Sequence, residues 1–171
     1  MPPRPSPGYP AARERVLVVS PVVGALGLQA ARGERASGGT IQGAVVGEFS
    51  HVQIFNPGDS MVRLFIESVL LNLFGADFSA DLRRFNTPLT NLFLTWRLHA
   101  EGIPLGRAQL RVQTSATALG DNIMRLFDGE GGGISGDGLG ILLRPGQGLL
   151  VGHTTLNTAL SASYVGAELP L

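Results

Sequence analysis

The chain has 171 residues, 44% of them apolar, no cysteine, and 13 basic residues, all arginine, that balance 13 acidic ones. The length suits one domain with an appendage, and the lack of cysteine excludes disulfides, thiolate metal sites and cysteine nucleophiles. The balanced charge argues against nucleic-acid binding, which needs a basic excess, and no apolar run approaches the roughly 18 residues of a membrane span.

The first 44 residues are predicted to lie outside the main domain. Residues 1–14 contain five prolines, which remove backbone donors and fix φ, so this stretch is typical of an extended arm. An apolar stretch follows at residues 15–29, and it packs either on its own domain or on a partner. The Gly/Ser/Arg-rich residues 30–40 are the predicted linker, and residues 45–171 are the predicted domain.

Apolar and polar residues alternate along several segments after residue 45, which is typical of half-buried strands. Three segments carry these inward-facing residues: Val62, Leu64 and Ile66; Leu92, Leu94, Trp96 and Leu98; Leu110 and Val112. Further strands are predicted at residues 51–56 and 159–165, and one short helix at residues 122–127. Because turn-forming residues separate the strands, we predict an all-β fold, an antiparallel β-sandwich or jelly roll, with an extended Pro-rich N-terminal arm.

The segment ILLRPGQGLLVGH at residues 141–153 raises the question of a ligand loop. Pro145 fixes φ, and Gly146 can supply the positive φ that the third position of a type II turn requires. We therefore predict a tight corner between strands at residues 140–143 and 149–153. Nothing in this corner requires a ligand.

His51, His99 and His153 are the candidate ligands of a cupin-type metal centre. Such a centre needs two histidines close together on one strand and a carboxylate, but the sequence has neither His-x-His nor His-x-Asp. We interpret them as surface or sheet-face histidines. The sequence also lacks Gly-x-Ser-x-Gly and any lysine for a phosphate-binding loop. We predict a non-enzyme, with no catalytic residue, no cofactor and no metal.

Other chemical signals have simpler structural interpretations. Asp77 and Asp81 are the nearest carboxylate pair, and turn capping by Asp77 is preferred to a glycosidase pair. The glycine-rich residues 128–140 resemble calcium-binding repeats, but they occur once, so they predict a loop with tight turns. Trp96 lies on a predicted inward face, which favours core packing over sugar stacking.

Residues 50–170 contain three stretches with a combined pattern: VQIFNPGDSMVRLFIESV, LRRFNTPL and ILLRPGQGLLVGHTTLNTALSASYVGAEL. The residues that carry the pattern are Asn56, Pro57, Ser60, Leu82, Arg83, Arg84, Asn86, Pro145, Gly146, Gly148, Asn157, Thr158, Leu160 and Glu168. The pattern resembles that of small β-sandwich virion structural proteins of tailed bacteriophages. The arm lies outside the resemblance.

This resemblance implies a structural role in the virion and no catalytic residues to transfer. A capsid decoration protein and a tail or fibre component both fit it. We expect a homo-oligomer, by analogy a trimer, that contacts major capsid or tail proteins through its arm, without nucleic-acid or membrane partners. We also expect that deleting residues 1–40 leaves the sandwich folded and weakens particle association.

Two alternatives remain open. The first is a carbohydrate- or receptor-binding module on the same sandwich, with Tyr164 or Trp96 as the aromatic contact. The second is a cupin-like metalloenzyme, which requires the three histidines to converge in space.

Overall fold

The computed structural model describes residues 35–74, 79–93, 108–127, 133–136 and 138–171. Within these residues the chain forms eleven strands and no helix. The strands are β1 (Arg35–Gln42), β2 (Phe49–Asn56), β3 (Val62–Phe74), β4 (Ser79–Arg84), β5 (Asn91–Phe93), β6 (Gln109–Ser115), β7 (Asp121–Phe127), β8 (Gly133–Gly136), β9 (Ile141–Leu143), β10 (Gln147–His153) and β11 (Ala159–Pro170).

Two antiparallel sheets pack against each other, so the predicted β-sandwich is confirmed. Sheet A has the order β1-β11-β3-β8, and β9 also pairs with β3. Sheet B has the order β5-β6-β2-β10-β4-β7. Alternate apolar side chains of both sheets, such as Ile54 of β2, Leu64 of β3 and Val151 of β10, form one shared core.

The predicted alternation holds in the central strands. Four predicted inward residues are buried in the core: Leu64 and Ile66 in β3, and Leu110 and Val112 in β6. Val62, at the start of β3, is also predicted to face inward, but it is only partly buried and does not belong to the core. Leu92 differs, because it is 52% exposed in the short edge strand β5. Residues 94–98, the rest of that predicted strand, lie outside the described residues.

The helix predicted at residues 122–127 is wrong, since this segment is strand β7. It pairs with β4, and the register shifts between Leu82 and Arg83, which face Met124 and Asn122 respectively. Ile123 therefore has no partner opposite it, and this bulge interrupts the alternation expected of a strand. Helical and strand periodicity are not distinguishable over so short an apolar run.

Residues 35–42, which the sequence assigned to the arm and linker, form strand β1. All eight residues pair with β11, from Arg35 opposite Ala167 to Gln42 opposite Leu160. Glycine and serine weaken strand propensity, but pairing with a long neighbouring strand overrides it. The sandwich therefore includes residues before 45, and deleting residues 1–40 would remove most of a strand.

The predicted corner at Pro145 and Gly146 is confirmed. Gly146 has a φ of 80°, and the Gln147 N–H donates to the Arg144 carbonyl at 3.0 Å, as in a type II turn. Because β9 belongs to sheet A and β10 to sheet B, this corner carries the chain from one sheet to the other.

Candidate functional site

The two histidines in the described residues do not converge. His51 of β2 lies opposite Gly152 of β10, so His153 is one position further along. His51 alternates with the core residue Val52, whereas His153 has the same orientation as the core residue Val151. The two imidazoles therefore project from opposite faces of sheet B. His99 lies outside the described residues.

No metal site is found in the part of the chain that the structure describes, since no group of three or more His, Asp or Glu side chains is close enough to hold an ion. The histidine constellation required for a cupin-like centre is therefore not assembled from His51 and His153.

The outer face of sheet B carries a group of polar side chains, three of them buried, that sequence analysis missed. We call it the polar cluster: His51 and Gln53 of β2, Asp81 and Arg83 of β4, and Arg125 of β7. These residues alternate with core residues and so face away from the core. Three of them, His51, Gln53 and Asp81, are nonetheless at most 1% exposed. Loops of the same chain must therefore cover this face.

Gln53 holds in place a loop at residues 85–90, which covers part of the outer face of sheet B. Its Nε2 donates to the carbonyls of Phe85 at 2.7 Å and Thr87 at 3.0 Å. Its Oε1 accepts from the Leu89 N–H at 2.9 Å. The side-chain amide of Gln53 thus provides hydrogen-bond partners for three backbone groups of this loop. Leu89, which belongs to the same loop, packs against the sheet and is only 1% exposed.

Asp81 joins two arginines at the other side of the cluster. Arg83 Nη2 lies 2.5 Å from Oδ2, and Arg125 Nε lies 2.6 Å from Oδ1. Burial raises the pKa of Asp81, but the hydrogen bonds and charges of Arg125 and Arg83 outweigh it, so the pKa lies below its usual value. Asp81 is therefore ionised at neutral pH, and this favours a structural ion pair over a general acid.

His51 occupies the space above β10. A side chain at Gly152 would place its Cβ 2.9 Å from His51 Nδ1. Burial lowers the pKa of His51 to about 4; the Thr117 backbone acts in the opposite direction, and the Arg83 charge adds to the decrease. The buried imidazole is therefore neutral at neutral pH, and it contributes packing rather than charge.

Two of the three glycines in the PGQGLLVGH segment, Gly148 and Gly152, have a related function in the fold. A Cβ at Gly148 would lie 2.5 Å from the Phe85 carbonyl oxygen and 2.6 Å from Gln53 Nε2. Gly148 and Gly152 thus leave the space that Gln53 and His51 occupy. The alternation of Asp81 and Arg83 with Ala80 and Leu82, and this glycine spacing, are the sequence signals that point to a covered polar face.

Several of the pattern residues between positions 50 and 170 meet at one joint between the sheets. The Asn56 side chain accepts from the Ser60 hydroxyl and donates to the carbonyls of Val62 at 2.9 Å and Leu143 at 3.0 Å. The Asn56 carbonyl accepts from the Gly146 N–H at 2.8 Å. The NPGDS turn and the PGQG corner are therefore held together by a single buried asparagine.

Other pattern residues make similar structural contacts. Asn157 adopts a φ of 61°; its backbone N–H donates to the Glu48 carbonyl at 3.0 Å, and its side chain accepts from the Gly47 N–H. Glu168 accepts from the Ala108 N–H at 2.9 Å. These two residues therefore fix the ends of loops and strands.

Apolar side chains are exposed on the edge strand β7. Ile123 is 54% and Phe127 72% exposed, and β7 is the last strand of sheet B among the described residues. Tyr164, one aromatic contact expected of a sugar-binding module, is instead 4% exposed in the core. Trp96 lies outside the described residues.

Comparison with known proteins gives no match to any family model, curated protein or solved structure. The described residues also contain no helix long and apolar enough to cross a membrane.

Proposed function

We propose that this chain is a structural protein of a tailed-bacteriophage virion, foremost a capsid decoration or stabilising protein that docks on other virion proteins through its N-terminal arm. The observation that carries the proposal is the location of the phage-like pattern. Asn56, Ser60, Gly146 and Asn157 form the joints of the sandwich, which supports a resemblance at the level of the whole fold.

The chemistry of the polar cluster also favours a structural role. Asp81 is ionised between two arginines, His51 is buried and neutral, and Gln53 is fully used by a covering loop. These are the polar side chains most protected from solvent on the outer face of sheet B, and each holds the fold together.

The exposed edge strand β7 supports assembly with other chains. An edge strand has unpaired backbone groups, and apolar side chains such as Ile123 and Phe127 make it suitable for contact with a partner.

The direct test uses particles of the phage that encodes the chain, purified on a density gradient and quantified by mass spectrometry. We expect many copies per particle, at a constant ratio to the major capsid protein. The chain remaining in the lysate while purified particles lack it would overturn the proposal.

The arm is tested by deleting residues 1–14, because a deletion to residue 40 removes most of β1. We expect the truncated chain to keep its β-sheet circular dichroism and unfolding midpoint, and to bind arm-free particles at least tenfold more weakly than the full chain. Equal binding by both chains would exclude docking through the arm.

A tail- or fibre-associated carbohydrate- or receptor-binding module is the alternative proposal. The exposed ring of Phe127 favours it, because aromatic faces pack on the apolar faces of sugars. Antibody labelling at the tail rather than the head, with glycan binding lost in Phe127→Ala, would select this alternative.

A further inference from the structure

The outer face of sheet A differs from a usual solvent-facing sheet. Ala162 and Tyr164 of β11 point into the core, so Ser161 and Ser163 face outward. The register places Ile41 of β1 beside Ser161 and Leu70 of β3 beside Ser163. Leu70 and Ile41 therefore lie on opposite sides of a row of serines that follows β11.

The middle of this face is uncharged and combines small polar side chains with exposed apolar ones. Charged residues lie at its margins, since Arg35 is opposite Ala167 and Glu67 lies at the bulge of β3. The outward positions from Ser37 to Ile41, from Ser161 to Ala167, and from Ser68 to Phe74 carry no charged side chain. Ile41, Leu70 and Phe74 are 49%, 50% and 51% exposed. Sheet faces in contact with water normally alternate with polar and charged residues, so this surface is suited to being covered.

The small residues leave room for a covering segment. Gly39, Ser161 and Ser163 form the middle of the face, and the larger Ile41 and Leu70 stand on either side. A second segment can therefore approach the sheet closely along β11 and contact apolar side chains on both sides. Its own side chains should be apolar and uncharged to match.

A segment that ends six residues before β1 has these properties. Residues 16–28, VLVVSPVVGALGL, contain no charged residue, and β1 is an edge strand of sheet A. The six residues 29–34 span up to roughly 20 Å when extended, whereas four neighbouring strands span about 14 Å. The segment therefore reaches the outer face of its own sheet, and the covalent link gives an effective concentration in the millimolar range.

We propose that residues 16–28 lie across the outer face of sheet A of the same chain, along β11 between Ile41 and Leu70. This packing covers the apolar face and fixes the point from which residues 1–14 extend. The inference does not depend on the virion proposal, since it concerns contacts within one chain.

The test uses the absence of cysteine from the chain, because the two introduced cysteines are then the only thiols in the protein. Ser163→Cys is combined in turn with Val18→Cys, Val23→Cys and Leu26→Cys in the full chain at low micromolar concentration. After mild oxidation, non-reducing gels and mass spectrometry measure disulfides within and between chains. The matched control replaces Ser163→Cys by Asp121→Cys, on the edge of sheet B and 78% exposed in its side chain.

We expect at least one Ser163→Cys pair to form a disulfide within the chain at least tenfold faster than the corresponding control pair. Predominant disulfides that join residue 163 of one chain to the segment of another chain would assign the segment to a neighbouring copy and overturn the proposal. Equal rates for the two positions would also overturn it.

A second variant tests whether the crosslink requires residues 16–28 to pack on this face, or forms through random collisions of the two cysteines. Leu70→Arg places a charge on the face at a half-exposed position, so the sandwich should keep its circular dichroism. We expect this change to slow the best crosslink at least fivefold. An unchanged crosslinking rate would show that the segment does not use this face.

Discussion

The outer faces of the two sheets differ in the chemistry of their side chains. On sheet B, loops of the same chain cover a polar cluster, and Gln53 alone makes three hydrogen bonds to the loop at residues 85–90. On sheet A the middle of the outer face carries serine, glycine, Asn72 and exposed apolar side chains such as Leu70, and no charged residue. The first face depends on directional hydrogen bonds, whereas the second offers apolar area.

This difference has an energetic consequence. A buried polar group left without a partner costs about 1–3 kcal/mol, so the sheet B face tolerates few changes. Apolar contact is non-directional and contributes about 25 cal/mol per Å² of buried area, so the sheet A face accepts any apolar segment of suitable shape. Substitutions should therefore be costly on sheet B and mild on sheet A.

The largest expected effect comes from Gln53→Leu. This change leaves the Phe85 and Thr87 carbonyls and the Leu89 N–H without their side-chain partner, which should lower the free energy of unfolding by about 3 kcal/mol. Urea unfolding followed by circular dichroism at neutral pH measures it.

The matched control is Asn72→Leu on the outer face of sheet A. Asn72 is exposed and lies opposite Ser161, so we expect a change within about 0.5 kcal/mol. Similar losses for both variants would mean that the two faces are not energetically distinct.

The next largest expected effect is a loss of folding stability at acidic pH, caused by the titration of His51. Its pKa is about 4 in the folded chain and 6.5 when unfolded, so only the unfolded chain takes up this proton between these values. Stability should therefore fall as the pH decreases from 6.5 to 4, by about 3 kcal/mol at most. The pKa of Asp81 is also lowered, so its contribution is lost only at more acidic pH.

His51→Gln removes this titration. We expect the urea midpoint of the unmodified chain to fall between pH 7 and pH 4.5, and that of His51→Gln to fall much less. Parallel pH profiles for the two chains would show that the buried imidazole is not the source of the dependence.

The sequence predicts the inner faces better than the outer ones. Alternation located Leu64, Ile66, Leu110 and Val112 correctly, because core residues repeat every second position in a strand. The corner at Gly146 was predictable because proline and glycine restrict the turn locally.

The rest depends on contacts that are distant in the sequence. Gln53 bonds to residues 32 to 36 positions away, and no local pattern indicates which loop covers it. Strand β1 is rich in glycine and serine, and its pairing with β11 determines its structure. The bulge at Ile123 hides the alternation of β7.

The smallest expected effect compares one added methyl group on each outer face. Gly148→Ala brings Cβ to 2.5 Å from the Phe85 carbonyl oxygen and 2.6 Å from Gln53 Nε2. Backbone and a hydrogen-bonded amide have little freedom to move, so we expect a loss of about 2 kcal/mol.

Gly39→Ala adds the same methyl group on sheet A, where its Cβ lies 3.0 Å from the Ser163 Cβ. That contact is tight, but Ser163 is on the face without a polar cluster, and alanine reduces the entropy lost on folding by about 0.5–1 kcal/mol. We therefore expect a net change below about 1 kcal/mol. Thermal unfolding of the two variants side by side measures the difference, and a larger loss for Gly39→Ala would indicate that the outer face of sheet A is the more tightly packed one.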